Sequence, residues 1–135
     1  MRIQIKSSGE DPDDKLIHFE IMAETETHKS TVEFYDYANV FKDFATTLLD
    51  YPFVSKEPVI FEHGNWEKSG HLIRISVSLL NPTGDTIISI ESTDYEGNYC
   101  KYKSSIIQVE PLHKFAKSLL NTDFSKAINY EWRTY

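Results

Sequence analysis

Cysteine occurs once in this 135-residue chain, at Cys100, so no internal disulfide can form and burial alone has to hold the fold. A chain of this length removes roughly two-thirds of its unfolded surface from water, so neither a disulfide nor a metal staple is required. No apolar run approaches the roughly 20 residues that a membrane-spanning helix needs. The N-terminal run Met1-Arg2-Ile3-Gln4-Ile5-Lys6 alternates apolar with polar residues and offers no apolar signal core. The expected location is therefore the cytoplasm, with no membrane partner. Basic residues are scarce: residues 1–100 carry 8 Lys/Arg against 18 Asp/Glu, net −10, and residues 101–135 carry 6 against 3, net +3. Nucleic-acid affinity comes largely from neutralising phosphates, so this surplus of acid argues against a nucleic-acid partner and toward a basic protein. Also missing are Gly-x-Ser-x-Gly, a flanked Cys-Gly of the cysteine-protease kind and a Gly-rich phosphate loop. No local motif names a reaction, a cofactor or a metal.

What is present is ample apolar material, 40% of the chain, with eight Phe, eight Tyr and two Trp. Period-two alternation predicts strands at 1–6, 17–24, 28–35 and, most clearly, 73–79, where Ile73, Ile75, Val77 and Leu79 share one face. A shorter strand is expected at 59–61. Turns at Asn81-Pro82-Thr83-Gly84-Asp85 and Tyr95-Glu96-Gly97-Asn98 continue 73–79 into a meander through 86–93 and about 99–109. The register of that last strand is ambiguous, because Ile106 and Ile107 are both apolar. Tyr37, Val40, Phe41, Phe44 and Leu48 fall on one helical face with Asp36 as N-cap. Pro111 opens a second helix whose face is Leu112, Phe115, Ala116 and Leu119. Asp123 is expected to cap a further helical turn through Phe124, Ala127 and Ile128, with Tyr130, Trp132 and Tyr135 packing back on the domain. The expected architecture is one α+β domain over residues 1–135, a mostly antiparallel sheet of about six or seven strands with two amphipathic helices on one face.

The residues that carry chemistry are scattered. The carboxylates in the loop Ser7 to Asp14 are dense enough to suggest calcium. That loop lacks the glycine and the distal glutamate of an EF-hand, which favours a solvated acidic turn. His63 and His71 flank one loop beside Glu62 and Glu67, so a zinc site of two histidines and one carboxylate can be drawn, although the spacing matches no recurrent ligand pattern. Cys100 lies beside Lys101 and Lys103, which would favour a thiolate; a half-buried strand cysteine is the plainer account. If the protein were instead a small enzyme or ligand-binding protein with a pocket between sheet and helices, His63, His71, Asp94 and Cys100 would be the residues to test.

A mixture of rings and carboxylates near the turns is more suggestive: Trp66, Glu67, Asp94, Tyr95, Glu96, Tyr99 and Tyr102. Rings provide contact area at low entropy cost and charges provide orientation, which is the chemistry of a protein-binding surface. Three segments also resemble a known family: Ser69-Gly70-His71-Leu72-Ile73-Arg74 opening a long strand, Ser89-Ile90-Glu91-Ser92-Thr93-Asp94 ending another, and Val109-Glu110-Pro111-Leu112-His113-Lys114-Phe115 leading the last helix. Together, over roughly residues 30–120, the chain is similar to small bacterial immunity proteins of the WapI type. The resemblance implies a cytoplasmic protein that neutralises a toxin domain by covering its surface. Its motifs mark fold positions, so it assigns no site residue.

Overall fold

A computed structural model describes residues 1–52 and 57–134; Tyr135, expected to pack back on the domain, lies outside the described residues. The elements run β1 (Arg2–Ser8), β2 (Ile17–Glu24), β3 (Lys29–Asp36), α1 (Lys42–Asp50), β4 (Val59–Gly64), α2 (Trp66–Ser69), β5 (Leu72–Leu79), β6 (Asp85–Thr93), β7 (Tyr99–Lys103), β8 (Ile107–Gln108), α3 (Val109–Asn121) and β9 (Ala127–Arg133). The class is α+β and every strand pairing among the described residues is antiparallel. Instead of one sheet there are two, ordered β3-β2-β1-β9 and β4-β5-β6-β7, with β8 also paired to β6.

The first sheet gains its fourth strand from β9. The segment expected to make a helical turn is a strand, paired along β1 from Arg2↔Arg133 to Ser8↔Ala127. Asp123 caps a tight turn, accepting from the Ser125 backbone N–H at 3.1 Å, and no helix follows it. The alternation of Ile128, Tyr130 and Trp132 with exposed Asn129, Glu131 and Arg133 then sends one face inward. Tyr130 and Trp132 do pack back: Trp132 stacks on Phe115 of α3 at 4.5 Å, and Tyr130 shares a 2.6 Å hydrogen bond with Ser118.

Two further boundaries differ from the pattern. The strand expected at 99–109 breaks at Ser104, whose hydroxyl accepts from the Ile88 N–H at 2.9 Å and so replaces a ladder bond. Beyond the break Ile107 is buried and Ile106 is exposed, which settles the register. α1 starts at Lys42, not after Asp36, because the Asp36 carboxylate is bound elsewhere and residues 37–42 form turns through Val40 N–H to Tyr37 and Lys42 N–H to Asn39. Tyr37 is consequently exposed instead of joining the helical face.

The inner faces of the sheets meet through aromatic rings: Phe19 of β2 against Phe34 of β3 and Phe41, and Phe41 in turn 4.9 Å from Phe61 of β4. Phe44 of α1 packs on Phe61 and on Phe115, so α1 and α3 lie together and join the second sheet to β9. Each fully buried Phe contributes up to about 3 kcal/mol.

Candidate functional site

The β4–β5 connection and the β6–β7 turn leave the second sheet at the same end, since Gly64 pairs with Leu72, and Thr93 pairs with both Leu72 and Tyr99. The sequence shapes both connections locally. Asn65 caps α2 by accepting from the Glu67 N–H at 3.0 Å, and Gly70 closes it at φ +75°. Asp94 organises the other turn, accepting from the N–H groups of Glu96 and Asn98 and from the Asn98 amide at 3.0 Å. Those bonds, led by the Asn98 backbone, lower the Asp94 carboxyl below its ordinary range.

The two connections then interlock through rings. Trp66 lies over Gly97, where a Cβ would come within 3.4 Å of the indole, and Tyr95 lies over Gly70 at 3.5 Å. Tyr99 opens β7 with its hydroxyl donating to Glu91 at 2.7 Å, which raises the phenol's pKa. All three rings remain largely in solvent, at 46%, 56% and 60% exposure for Trp66, Tyr95 and Tyr99. Glu67 and Glu96 are exposed beside them. A polar row crosses the same outer face of the sheet: Arg74 of β5 bridges Glu62 of β4, at 2.6 Å, and Glu91 of β6.

Of the seven residues expected to form a contact surface, five are gathered here with their rings or carboxylates in solvent: Trp66, Glu67, Tyr95, Glu96 and Tyr99. Asp94 belongs to the turn that presents them, its carboxylate already engaged. Tyr102 does not belong to the surface. It sits three residues after Tyr99 on a strand, hence on the opposite face, and is buried to 6% exposure with its hydroxyl bonded to Ser30 and to the Ala23 carbonyl, both at 2.7 Å.

Beneath Tyr95 runs a chain of groups that sequence spacing did not reveal. His63 Nε2 lies 2.9 Å from Asp36 Oδ2, and His63 Nδ1 lies 2.9 Å from His71 Nε2. The other Asp36 oxygen accepts from the Tyr37 N–H at 2.6 Å. Phe34 stacks on His63 at 3.9 Å, and Tyr95 tilts over His71 at 5.3 Å. Gly64, at φ +90°, makes the pairing possible, because a Cβ there would stand 2.4 Å from the His71 carbonyl oxygen and 2.6 Å from its ring. His71 is buried and its Nδ1 has no hydrogen-bond partner. Burial lowers its pKa, a weaker interaction with the Ser69 backbone opposes that, and the neighbouring His63 adds to the lowering.

The histidines do come together, then, but not with Glu62 or Glu67 as zinc ligands: Glu62 faces Arg74 and Glu67 faces solvent. Two ring nitrogens 2.9 Å apart share a proton instead of converging on an ion. Among the described residues no three His, Cys, Asp or Glu side chains are placed to hold a metal. Cys100 is half-buried on β7 opposite Ser92. Three open depressions of about 580, 430 and 350 Å³ are lined by described residues, and none includes His63, His71, Asp94 or Cys100. No helix of the described residues is long and apolar enough to cross a membrane. In comparisons with known proteins, no family model, no curated protein and no solved structure matches the chain.

Proposed function

We propose that this protein is a protein-binding module, and that Trp66, Tyr95 and Tyr99 with Glu67 and Glu96 form its contact surface. In the narrower form that the resemblance to WapI-type proteins suggests, it is a cytoplasmic immunity protein that neutralises a basic toxin domain by covering its surface. The observation that supports the reading best is that three rings about half in solvent are each held in place, by Gly97, by Gly70 and His71, and by Glu91. Such rings offer area with little entropy left to lose on binding, which is how anchor residues work. The flanking carboxylates and the acidic charge of the chain favour Lys and Arg on the partner.

The test is capture from the native cell by immobilised protein, comparing wild type with Trp66→Ala/Tyr95→Ala. The expected result is one basic protein held by wild type and lost at least about tenfold by the double variant. Rising salt should weaken the complex mainly through slower association. Co-expression should rescue growth against the captured protein. A partner retained equally by both forms, or a complex indifferent to salt, contradicts the reading.

A further inference from the structure

We infer that the Asp36–His63–His71 chain is a proton-sensitive latch: near neutral pH it holds the Tyr95 turn and α2 in their present arrangement, and uptake of one proton releases them. The inference deepens the binding reading, since it names a control on that same surface, and it rests on that reading for its biological meaning.

A carboxylate only accepts, so His63 Nε2 must carry the hydrogen that faces Asp36. The Nδ1 of a neutral His63 is then an acceptor, and His71 Nε2 must carry the hydrogen between the rings. His71 Nδ1 is left as a bare acceptor sealed from water, a tolerable arrangement. On the two rings an added proton has two places to go, and neither is tolerable. On His71 Nδ1 it makes a buried N–H with only the Ser69 backbone nearby, outside hydrogen-bond geometry. On His63 Nδ1 it sets two donors face to face, unless His71 moves its own hydrogen to Nδ1, which recreates the same orphan. The remaining relief is to part the rings and turn His71 toward water.

His71 cannot move alone. Tyr95 covers it and Tyr95 also rests on Gly70, the last residue of the α2 cap, while Trp66 of α2 rests on Gly97 of the Tyr95 turn. Parting the histidines therefore loosens the contacts that fix two of the three rings.

Among the described residues no other charge is placed to absorb the proton. From β3 the chain meets Phe34 and Asp36; on β4 and β5, Glu62 and Arg74 pair with each other on the outer face. On α2, Glu67 and Lys68 are exposed; in the covering turn Glu96 is exposed and Asp94 is occupied by Asn98.

The test needs only the purified protein and proton and nitrogen-15 NMR. At about pH 7.5 both histidines should show the Nε2–H tautomer, and on acidification the Trp66 indole and Tyr95 ring resonances should shift together with a midpoint below 6.5. His71→Gln keeps a donor for His63 Nδ1 and cannot titrate, so it should abolish that shift. A different tautomer pair, resonances that stay fixed down to about pH 5, or an unchanged transition in His71→Gln overturns the latch. The tautomer measurement requires no variant, so a misfolded His71→Gln does not rescue the idea. Partner capture reads the other proposal separately: capture through Trp66 that is equal at both pH values removes the latch and keeps the binding surface, whereas a working latch with no partner does the reverse.

Discussion

At the start of β3 the two sheets are joined by Tyr102, whose hydroxyl bonds Ser30 and the Ala23 carbonyl while His28 stacks on its ring at 5.2 Å. At the end of β3 they are joined by Asp36, His63 and His71. The first join turns on one phenol whose hydroxyl is satisfied. The second places two imidazoles and a carboxylate at a sheet interface, leaves one buried nitrogen unpartnered, and requires a glycine at φ +90° to fit. A simple bolt would not need those features. The difference separates two kinds of join: one ties the sheets through a satisfied phenol, and the other lies directly beneath an exposed aromatic ring.

The comparison breaks most severely at Gly64. Gly64→Ala forces a Cβ to within 2.4 Å of backbone at positive φ, and is expected to destabilise by on the order of 3 kcal/mol in urea unfolding. At the other end, Tyr102→Phe leaves the Ala23 carbonyl and the Ser30 hydroxyl without their partner and should cost about 1–3 kcal/mol, with the Trp66 and Tyr95 resonances undisturbed.

The pH response of stability should separate the ends next. Burial keeps the His71 pKa below the 6.5 of the unfolded chain, so as pH falls through 6.5 the unfolded state binds the proton first and stability declines until the folded pKa is passed. Tyr102 behaves oppositely. Burial raises its phenol above 10.0, so its contribution is complete below pH 10 and is lost above it, together with that of Tyr130, pushed up to about 12. Thermal melts across pH should lose the decline that begins near pH 6.5 in His71→Gln and part of the alkaline limb in Tyr102→Phe. The smallest effect is expected at the surface row: Arg74→Gln should change stability by only about 0.5 kcal/mol, because the row is solvated.

Much of this was legible in the sequence where one face of an element is buried. β2, β3, β5 and β6 follow their alternation, and the helical face of α3 is the one its spacing predicts. Pairing partners were not legible, since alternation gives a strand its faces but not its neighbours; one sheet was expected where there are two. β9 was missed because Phe124, Ala127 and Ile128 mimic a helical spacing across an Asp123 turn. On the surface, composition near the turns found Trp66, Tyr95 and Tyr99, while a strand's period of two already separated Tyr102 from Tyr99. Asp36 read as a helix cap because an Asp before an apolar helical pattern usually is one. Its true partner is 27 residues away, and nothing local signals such a bond.

Binding is expected to run through the end of the second sheet where Trp66 and Tyr95 sit. The direct measurement is quantitative capture from native lysate with three baits: wild type, Trp66→Ala/Tyr95→Ala, and Tyr102→Phe as the control from the opposite end of β3. One basic protein retained by wild type and Tyr102→Phe but lost from the double variant is the predicted result. Equal retention on all three baits would contradict it.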